Sequence, residues 1–419
     1  MNTYRPRIAD ALLREALQTT GAVQIVGPKW CGKTTTAEQQ AVGTVYFQDP
    51  DQRSSLLRIA AEQPSLLLKG DKPLLLDEWQ DAPAIWDAVR FAVDKEQALG
   101  SYILTGSSVP SRDQISHSGT GRFSRVAMRP MTLLESGESV ATARLADIVD
   151  GLDIGGQASM TLSDVAEALV RGGWPASVSA GDSRGMARAS DYVDSIIESD
   201  ISRVDGIEKN PRRVRLLMRS LARNESTEAA MTTLQSDMAA DEGRVSTNTI
   251  AVYLDALRRL YVIDDQQAWA PAVRSKTAMR TSPVRRYCDP SLPAALLGLT
   301  PDKLLFDFNT FGLLFESLCI RDLRVYASAI GATISHYRDA RGLECDAIME
   351  LPDGRWGAIE VKLESNREDD ASADLRQIAS VVRSQHGGPA SFLMVITATG
   401  FARRRNDGVY SVPISCLGP

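Results

Sequence analysis

Two kinds of apolar pattern divide the chain. In its first quarter, short runs that are apolar throughout recur: AVQIV (22–26), PLLL (73–76) and SYILT (101–105). Runs of this length, bounded by glycine and polar residues, predict strands buried on both faces of a parallel sheet. TTAEQQAV (35–42) and APAIWDAVRFAVD (82–94) carry their apolar residues at helical spacing, so strands and helices alternate. The middle is helical. TLSDVAEALVRGGWP (161–175) predicts a helix capped by Thr161 or Ser163 and broken at Gly172, Gly173 and Pro175. RRVRLLMRSLARNES (212–226) is a basic amphipathic helix, and TTLQSDMAADE (232–242) is a shorter one. STNTIAVYLDALRRLYVIDDQQAW (246–269) is a capped helix with Ile250, Tyr253, Leu254, Leu257 and Leu260 on one face, running into an extended segment. The last third predicts a helix over 311–328, strands at 333–339, 344–351 and 357–363, a helix over 369–385 and a strand at 391–399.

With 419 residues the chain exceeds one ordinary core. The expected division is an ATPase-type domain (1–140), a helical lid or connector (141–205), a winged-helix domain (206–300) and a C-terminal α/β domain (301–419). No run approaches 18 apolar residues and MNTYRPRIAD has no signal-peptide core, so no membrane and the cytoplasm are expected. Five scattered cysteines without CxxC spacing predict neither a disulfide framework nor a zinc site, and the three histidines have no metal-ligand spacing. The net charge of −6 argues against general polyanion binding. Residues 201–300 nevertheless hold 15 Lys and Arg against 11 Asp and Glu.

The chemistry begins after the first strand. GPKWCGKT, residues 27–34, is GxxxxGK[ST] between a strand and a helix. Gly27 and Gly32 permit the tight turn, and the backbone of Pro28, Lys29, Trp30 and Cys31 would wrap ATP phosphates, with Thr35 following. Lys33 would neutralise the β- and γ-phosphates, and Thr34 would ligate Mg2+. The strand ending in LLLDEWQ places Asp77 to hold the Mg2+ and Glu78 to polarise the attacking water. Thr105 or Ser107, at the end of the third strand, would reach the γ-phosphate or that water. Arg122, Arg125 and Arg129 are candidates for completing the transition-state charge, in the same or a neighbouring subunit. Arg122, just after Gly121, is preferred.

The motifs GPKWCGKTT, LLLDEWQDAP, YILTGSS, GRFSRVAMRPMTLLE, GGWP, YVDSIIESDI, RRYCDPSL, FGLLFESLCIRDL and YRDARGLECDAIMEL…IEVK resemble those of prokaryotic AAA-type ATPases with a C-terminal domain of unknown function, number 4143. The resemblance spans nearly the whole chain and implies this architecture and ATP use. Lys29, Trp30 and Cys31 depart from the Arg and small residues common there.

Helix, turn, capped helix and a hairpin of YVIDDQQAW with RRYCDP read as a winged helix-turn-helix. As a DNA-binding module it would present Ser246, Thr247, Asn248 and Thr249 to a groove. Arg212, Arg213, Arg274, Lys276 and Arg280 would meet phosphates. As a protein-packing module it would not, and Asp237, Asp241 and Glu242 would repel DNA. The last third resembles the PD-(D/E)xK nuclease fold, and the resemblance places Glu316, Asp346, Glu360 and Lys362 at a magnesium site. Glu360 and Lys362 share a strand face. A two-residue Asp353–Gly354 turn would put Asp346 on the other face, whereas a three-residue loop or a bulge pairs Asp346 with Glu360. The function expected is Mg-dependent ATP hydrolysis coupled to DNA. The alternative is a nucleotide-driven switch whose C-terminal domain is a scaffold for a protein partner or a homo-oligomer.

Overall fold

The computed structural model describes residues 4–107, 119–180, 182–204, 206–242, 245–271, 282–339, 341–386 and 388–419. Arg274, Lys276 and Arg280 lie outside them, as do the side chains of Asp241 and Glu242. The chain forms two compact units. One comprises Met1–Pro130, Glu198–Lys209 and Tyr253–Val262, the other Met131–Ile197, Asn210–Val252 and Ile263–Pro419.

The first unit is built on a wholly parallel sheet of β1 (Ala22–Val26), β2 (Gly43–Tyr46), β3 (Leu74–Asp77), β4 (Tyr102–Gly106) and β5 (Phe123–Ala127), in the order β2-β3-β4-β1-β5. Strands β1, β3 and β4 are the three apolar runs, and they occupy the centre, where both faces are covered and nearly every residue must be apolar. β2 and β5 lie at the edges and carry more polar residues. Because β1 sits between β4 and β5, connections diverge where it ends, the place at which a parallel sheet offers its carboxyl edge to a ligand. Fully buried Trp79 packs on Trp86, which stacks on Phe123 at 3.9 Å, tying the end of β3 to the helix Ala84–Glu96 and to β5.

The second unit holds short strands β6 (Ala143–Arg144) and β7 (Gly156–Gln157), then β8 (Thr333–Arg338), β9 (Glu344–Glu350), β10 (Trp356–Lys362), β11 (Phe392–Thr397), β12 (Phe401–Arg404), β13 (Tyr410–Pro413) and β14 (Leu417–Gly418). Seven of them form a mixed sheet in the order β7-β12-β13-β11-β10-β9-β8, and β6 pairs with β14. β8, β9 and β10 run antiparallel, while β10 and β11 are parallel and joined through the helix Glu368–His386. The helix Phe308–Ala329 precedes them and buries Phe311, Leu314, Phe315 and Leu318. β6 and β7, from residues 143–157, have no signature in the sequence, since a two-residue strand is too short to show a period.

The middle elements stand where the apolar spacing predicts them. Thr161 caps the helix Leu162–Arg171 and bonds reciprocally with Asp164. Asn210 caps Pro211–Arg223, which is followed by Met231–Glu242. The Ser246 hydroxyl accepts from the Thr249 N–H at the start of Thr247–Arg259. Beyond it, Ile263 bridges Tyr287 and Gln266 bridges Val284, both antiparallel.

A buried ionic knot explains several of the sequence motifs. Arg321 donates to Asp289 at 2.8 Å and to its neighbour Asp322, and both carboxylates are fully buried. Asp289 also accepts from the Gly173 N–H at 3.0 Å and from Ser291, while Asp322 accepts from the Leu133 N–H at 2.9 Å. The Trp174 indole donates to Ser291. A Cβ on Gly173 would lie 2.2 Å from the Met131 carbonyl, so that glycine is required by close backbone approach. Thus GGWP, CDPS, CIRD and MTLLE meet as internal structure. No helix among the described residues is long and apolar enough to cross a membrane.

Candidate functional sites

In the first unit, the loop leaving β1 is shaped by its glycines. Gly27 has φ +152° and a Cβ there would stand 2.2 Å from the Met128 carbonyl, so no other residue fits. Gly32, at φ +99°, starts the helix Lys33–Glu38. Lys33 is buried and folds back, donating to the carbonyls of Gly27 at 3.0 Å and Pro28 at 2.7 Å. The ammonium therefore sits inside the turn that its own loop makes.

The sheet register delivers the rest. Asp77 at the end of β3 lies opposite Thr105 on β4. One oxygen of Asp77 accepts from both the Thr34 hydroxyl, at 2.7 Å, and the Thr105 hydroxyl, at 2.6 Å. Glu78 follows in a left-handed conformation, φ +54°, and its carboxylate accepts from Ser107 at 3.1 Å and from the Gln80 amide. A non-glycine residue held there is strained backbone at a chemical site. Trp30 also has positive φ, +63°, and is 55% exposed, whereas Cys31 is buried and Thr35 faces solvent.

Arg122 stands away from the phosphate loop of its own chain. β5 runs parallel to β1 with Phe123 beside Ala22, which puts Arg122 at the amino edge of the sheet, a strand length (about 15 Å) from the loop. There it pairs with Asp94 at 2.7 Å and does not face the cradle of its own chain. The arginine that the register carries to the phosphate edge is Arg129, just past Met128, whose N–H bonds Val26. Two contributors escaped sequence reading. Buried Arg7 donates to the Cys31 carbonyl at 2.8 Å and the Arg129 carbonyl at 2.7 Å, clamping the loop to the end of β5. Asp200 pairs with Lys29. Neither carries a local signal, because each partner is distant in sequence.

In the second unit, the β9–β10 hairpin pairs Glu350 with Trp356 and Ala347 with Ile359. The Leu351 N–H bonds the Arg355 carbonyl, leaving Pro352, Asp353 and Gly354 as a three-residue loop with Gly354 at φ +83°. Continuing this register sets Asp346 opposite Glu360, on the face that Lys362 shares. The Asp346 carboxylate accepts from the Val361 N–H at 2.7 Å, and Glu360 pairs with Lys362 at 2.7 Å. Glu316, from the helix Phe308–Ala329, pairs with Arg286. Arg286 also donates to Gln266 and Ser226, and the Gln266 amide reaches the Asp346 carbonyl. The four residues named from the sequence are electrostatically one group. Burial first, and then the charge of Asp346, push Glu316 and Glu360 above the carboxylate range. Burial also raises Asp346, against the pull of Lys362 and the Val361 N–H. Lys362 is raised by Glu360 and Asp346 despite its burial. The second oxygen of Glu360 is buried without a hydrogen-bond partner. Among the described residues, however, no three His, Cys, Asp or Glu side chains are gathered closely enough to hold a metal ion. Each carboxylate is turned instead toward a protein cation or N–H.

Residues 19–136 match the family model described as an AAA domain, and residues 311–417 match domain of unknown function DUF4143. The chain carries an AAA domain and a DUF4143 domain. Between them, residues 162–303 of this AAA–DUF4143 chain match a further domain of unknown function, DUF8612. It is 25% identical to the uncharacterized proteins Rv2008c of Mycobacterium tuberculosis and Mb2031c of Mycobacterium bovis, over 93% of this chain and 82% of each relative. Among solved structures it is similar to a Walker-type ATPase of Pyrococcus abyssi, at 14% identity and a TM-score of 0.44, covering 70% of this chain and 99% of that one.

Proposed function

We propose that the protein binds and hydrolyses Mg-ATP and couples that cycle to DNA. The observation that carries this is the convergence of the Thr34 and Thr105 hydroxyls on one oxygen of Asp77, beside the Gly27–Thr34 loop and followed directly by Glu78. This donor set is oxygen only, which suits a hard divalent cation. Thr34 and Asp77 would hold Mg2+, which supplies charge compensation to the phosphates when bound. Lys33 would exchange its two carbonyl partners for phosphate oxygens. Glu78, aimed by Ser107 and Gln80, orients the attacking water and accepts its proton, and Thr105 holds Asp77 in place. Arg129 is the cis arginine at this edge, and Arg122 is left for a neighbouring copy in a homo-oligomer.

For DNA, support comes from the middle of the chain: its excess of Lys and Arg, and exposed Ser246, Thr247 and Asn248 at the start of a capped helix, with Arg212 exposed on the helix Pro211–Arg223. The test is ATP turnover by the full chain with and without duplex and single-stranded DNA. Magnesium-dependent turnover, stimulated at least several-fold by DNA, is expected. Absence of turnover overturns the ATPase assignment, and turnover indifferent to DNA overturns the coupling.

A second reading, favoured by the carboxylate group in the second unit, is a nucleotide-driven switch whose DUF4143 domain binds a protein partner. Three carboxylates facing Arg286 and Lys362 are largely neutralised from within, which suits a scaffold. A nuclease-type site would need Glu316, Asp346 and Glu360 to release those partners to Mg2+. Incubation with DNA and RNA in Mg2+ or Mn2+ separates the two. The switch predicts no cleavage, with ATP-dependent partner capture surviving Glu360→Ala. Cleavage lost in Asp346→Ala and Glu360→Ala, with ATP turnover kept, would establish the nuclease instead.

A further inference from the structure

Lys29, the third residue of the phosphate loop, is tied down at its tip. Its ammonium stands 2.7 Å from Asp200, whose side chain is only 9% exposed. Asp200 closes a π-type turn, Ile196–Asp200, that runs into the helical turn Ile201–Arg203. A π turn inserts an extra residue and so re-aims the side chains that follow it. The segment is held again four residues on, where the Val204 carbonyl accepts from Arg259 at 3.0 Å. Arg259 belongs to the last turn of the helix Thr247–Arg259, and Tyr261, just beyond, accepts from Arg125 of β5 at 2.7 Å. Polar contacts therefore run from the phosphate loop through Asp200 and Val204 to the end of a helix from the middle of the chain.

We propose that Asp200 is a nucleotide-responsive positioning residue. Asp200 holds Lys29, and nucleotide phosphates compete for that ammonium and draw it off, loosening residues 198–204 and their contact with Arg259. This rests on the cradle binding nucleotide phosphate. The physics is competition for one mobile cation. A lysine ammonium has three donors in no fixed fork, so it transfers between carboxylate and phosphate at little geometric cost. An Asp200 stripped of Lys29 repels phosphate, whereas an uncharged residue there releases Lys29 to it.

The experiment is titration of the full chain with Mg-ATP and Mg-ADP for wild type, Asp200→Asn, Lys29→Met and the double variant, alongside hydrogen exchange of residues 198–204 and 253–260. Asp200→Asn is expected to bind ATP about tenfold tighter and Lys29→Met about tenfold weaker, the effect of one charge a few ångströms away in a half-exposed site. The double variant should fall near wild type. Exchange at 198–204 should rise when nucleotide binds wild type and stay constant in Asp200→Asn, and Arg259→Gln should cut off the response at 253–260 at unchanged ATP affinity. A loss of affinity in Asp200→Asn like that of Lys29→Met overturns the proposal. So does wild-type exchange at 198–204 that ignores bound nucleotide, a result that needs no variant to fold. Wild type that binds no ATP would instead sink the nucleotide reading itself.

Discussion

Lys33→Ala is expected to lower ATP affinity by 100-fold or more while leaving the fold intact. The ammonium is buried within the turn of Gly27–Thr34 and touches only backbone carbonyls there, those of Gly27 and Pro28. Phosphate oxygens would accept from it two bonds between opposite charges in place of two to uncharged carbonyls. Bonds to charged groups contribute about 1.5–3 kcal/mol each, and about 1.4 kcal/mol is a factor of ten. Removing the side chain forfeits that gain and leaves the β- and γ-phosphates uncompensated. The two carbonyls it frees belong to buried Gly27 and Pro28, so a stability loss of about 1–3 kcal/mol, short of unfolding, should accompany it. Titration with a fluorescent ATP analogue, beside a thermal melt, measures both. Affinity within twofold of wild type would remove Lys33 from the site. Thr34→Ala should act differently, weakening Mg-ATP much more than metal-free ATP, because its hydroxyl converges with Thr105 on Asp77 rather than on the phosphate.

What could be read beforehand, and what could not, follows from the range over which each feature is determined. β1, β3 and β4 were legible because a strand covered on both faces must be apolar along its length, and each of the three ends in polar chemistry. β2 and β5, at the edges, escape that rule. The spacing of Arg122 from Gly121 said nothing of the sheet edge on which it would lie, and only the pairing of Phe123 with Ala22 decides that. The hairpin holding Asp346 was undecidable for a related reason. Pro352-Asp353-Gly354 supports two-residue and three-residue turns alike, and one residue of register swaps every side chain to the other face. The bond between Leu351 and Arg355 selects the three-residue loop, and Asp346 then joins Glu360 and Lys362. Arg7 was invisible, and Asp200 and Arg286 stood inside quoted motifs without a role, since their importance lies in partners that folding brings to them.

The same logic gives Arg321→Ala the largest expected effect on stability. GGWP, CDPSL and CIRDL lie far apart in the sequence, yet they meet in one buried ionic knot. Removing the guanidinium strands Asp289 and Asp322, both at 0% exposure, with no cation between them. Breaking one partner out of a buried ionic group costs about 3–5 kcal/mol, because the remaining charge is left uncompensated in a low-dielectric interior. The loss should depend on pH in a defined direction. Burial already raises Asp322 to about 6, and Arg321 is the principal charge pulling it back down. Without that arginine the carboxyl rises further above its value in the unfolded chain. A group raised in this way withdraws stability as pH climbs through its folded pKa. The deficit of the variant should therefore be smallest near pH 5 and grow toward pH 8. Urea unfolding of wild type and variant at the two pH values measures this, and a deficit below about 1 kcal/mol at pH 8 would show the knot to be incidental to the fold. Asp289→Asn with Asp322→Asn in the Arg321→Met background should recover much of the loss, since no buried charge then remains for water to reclaim.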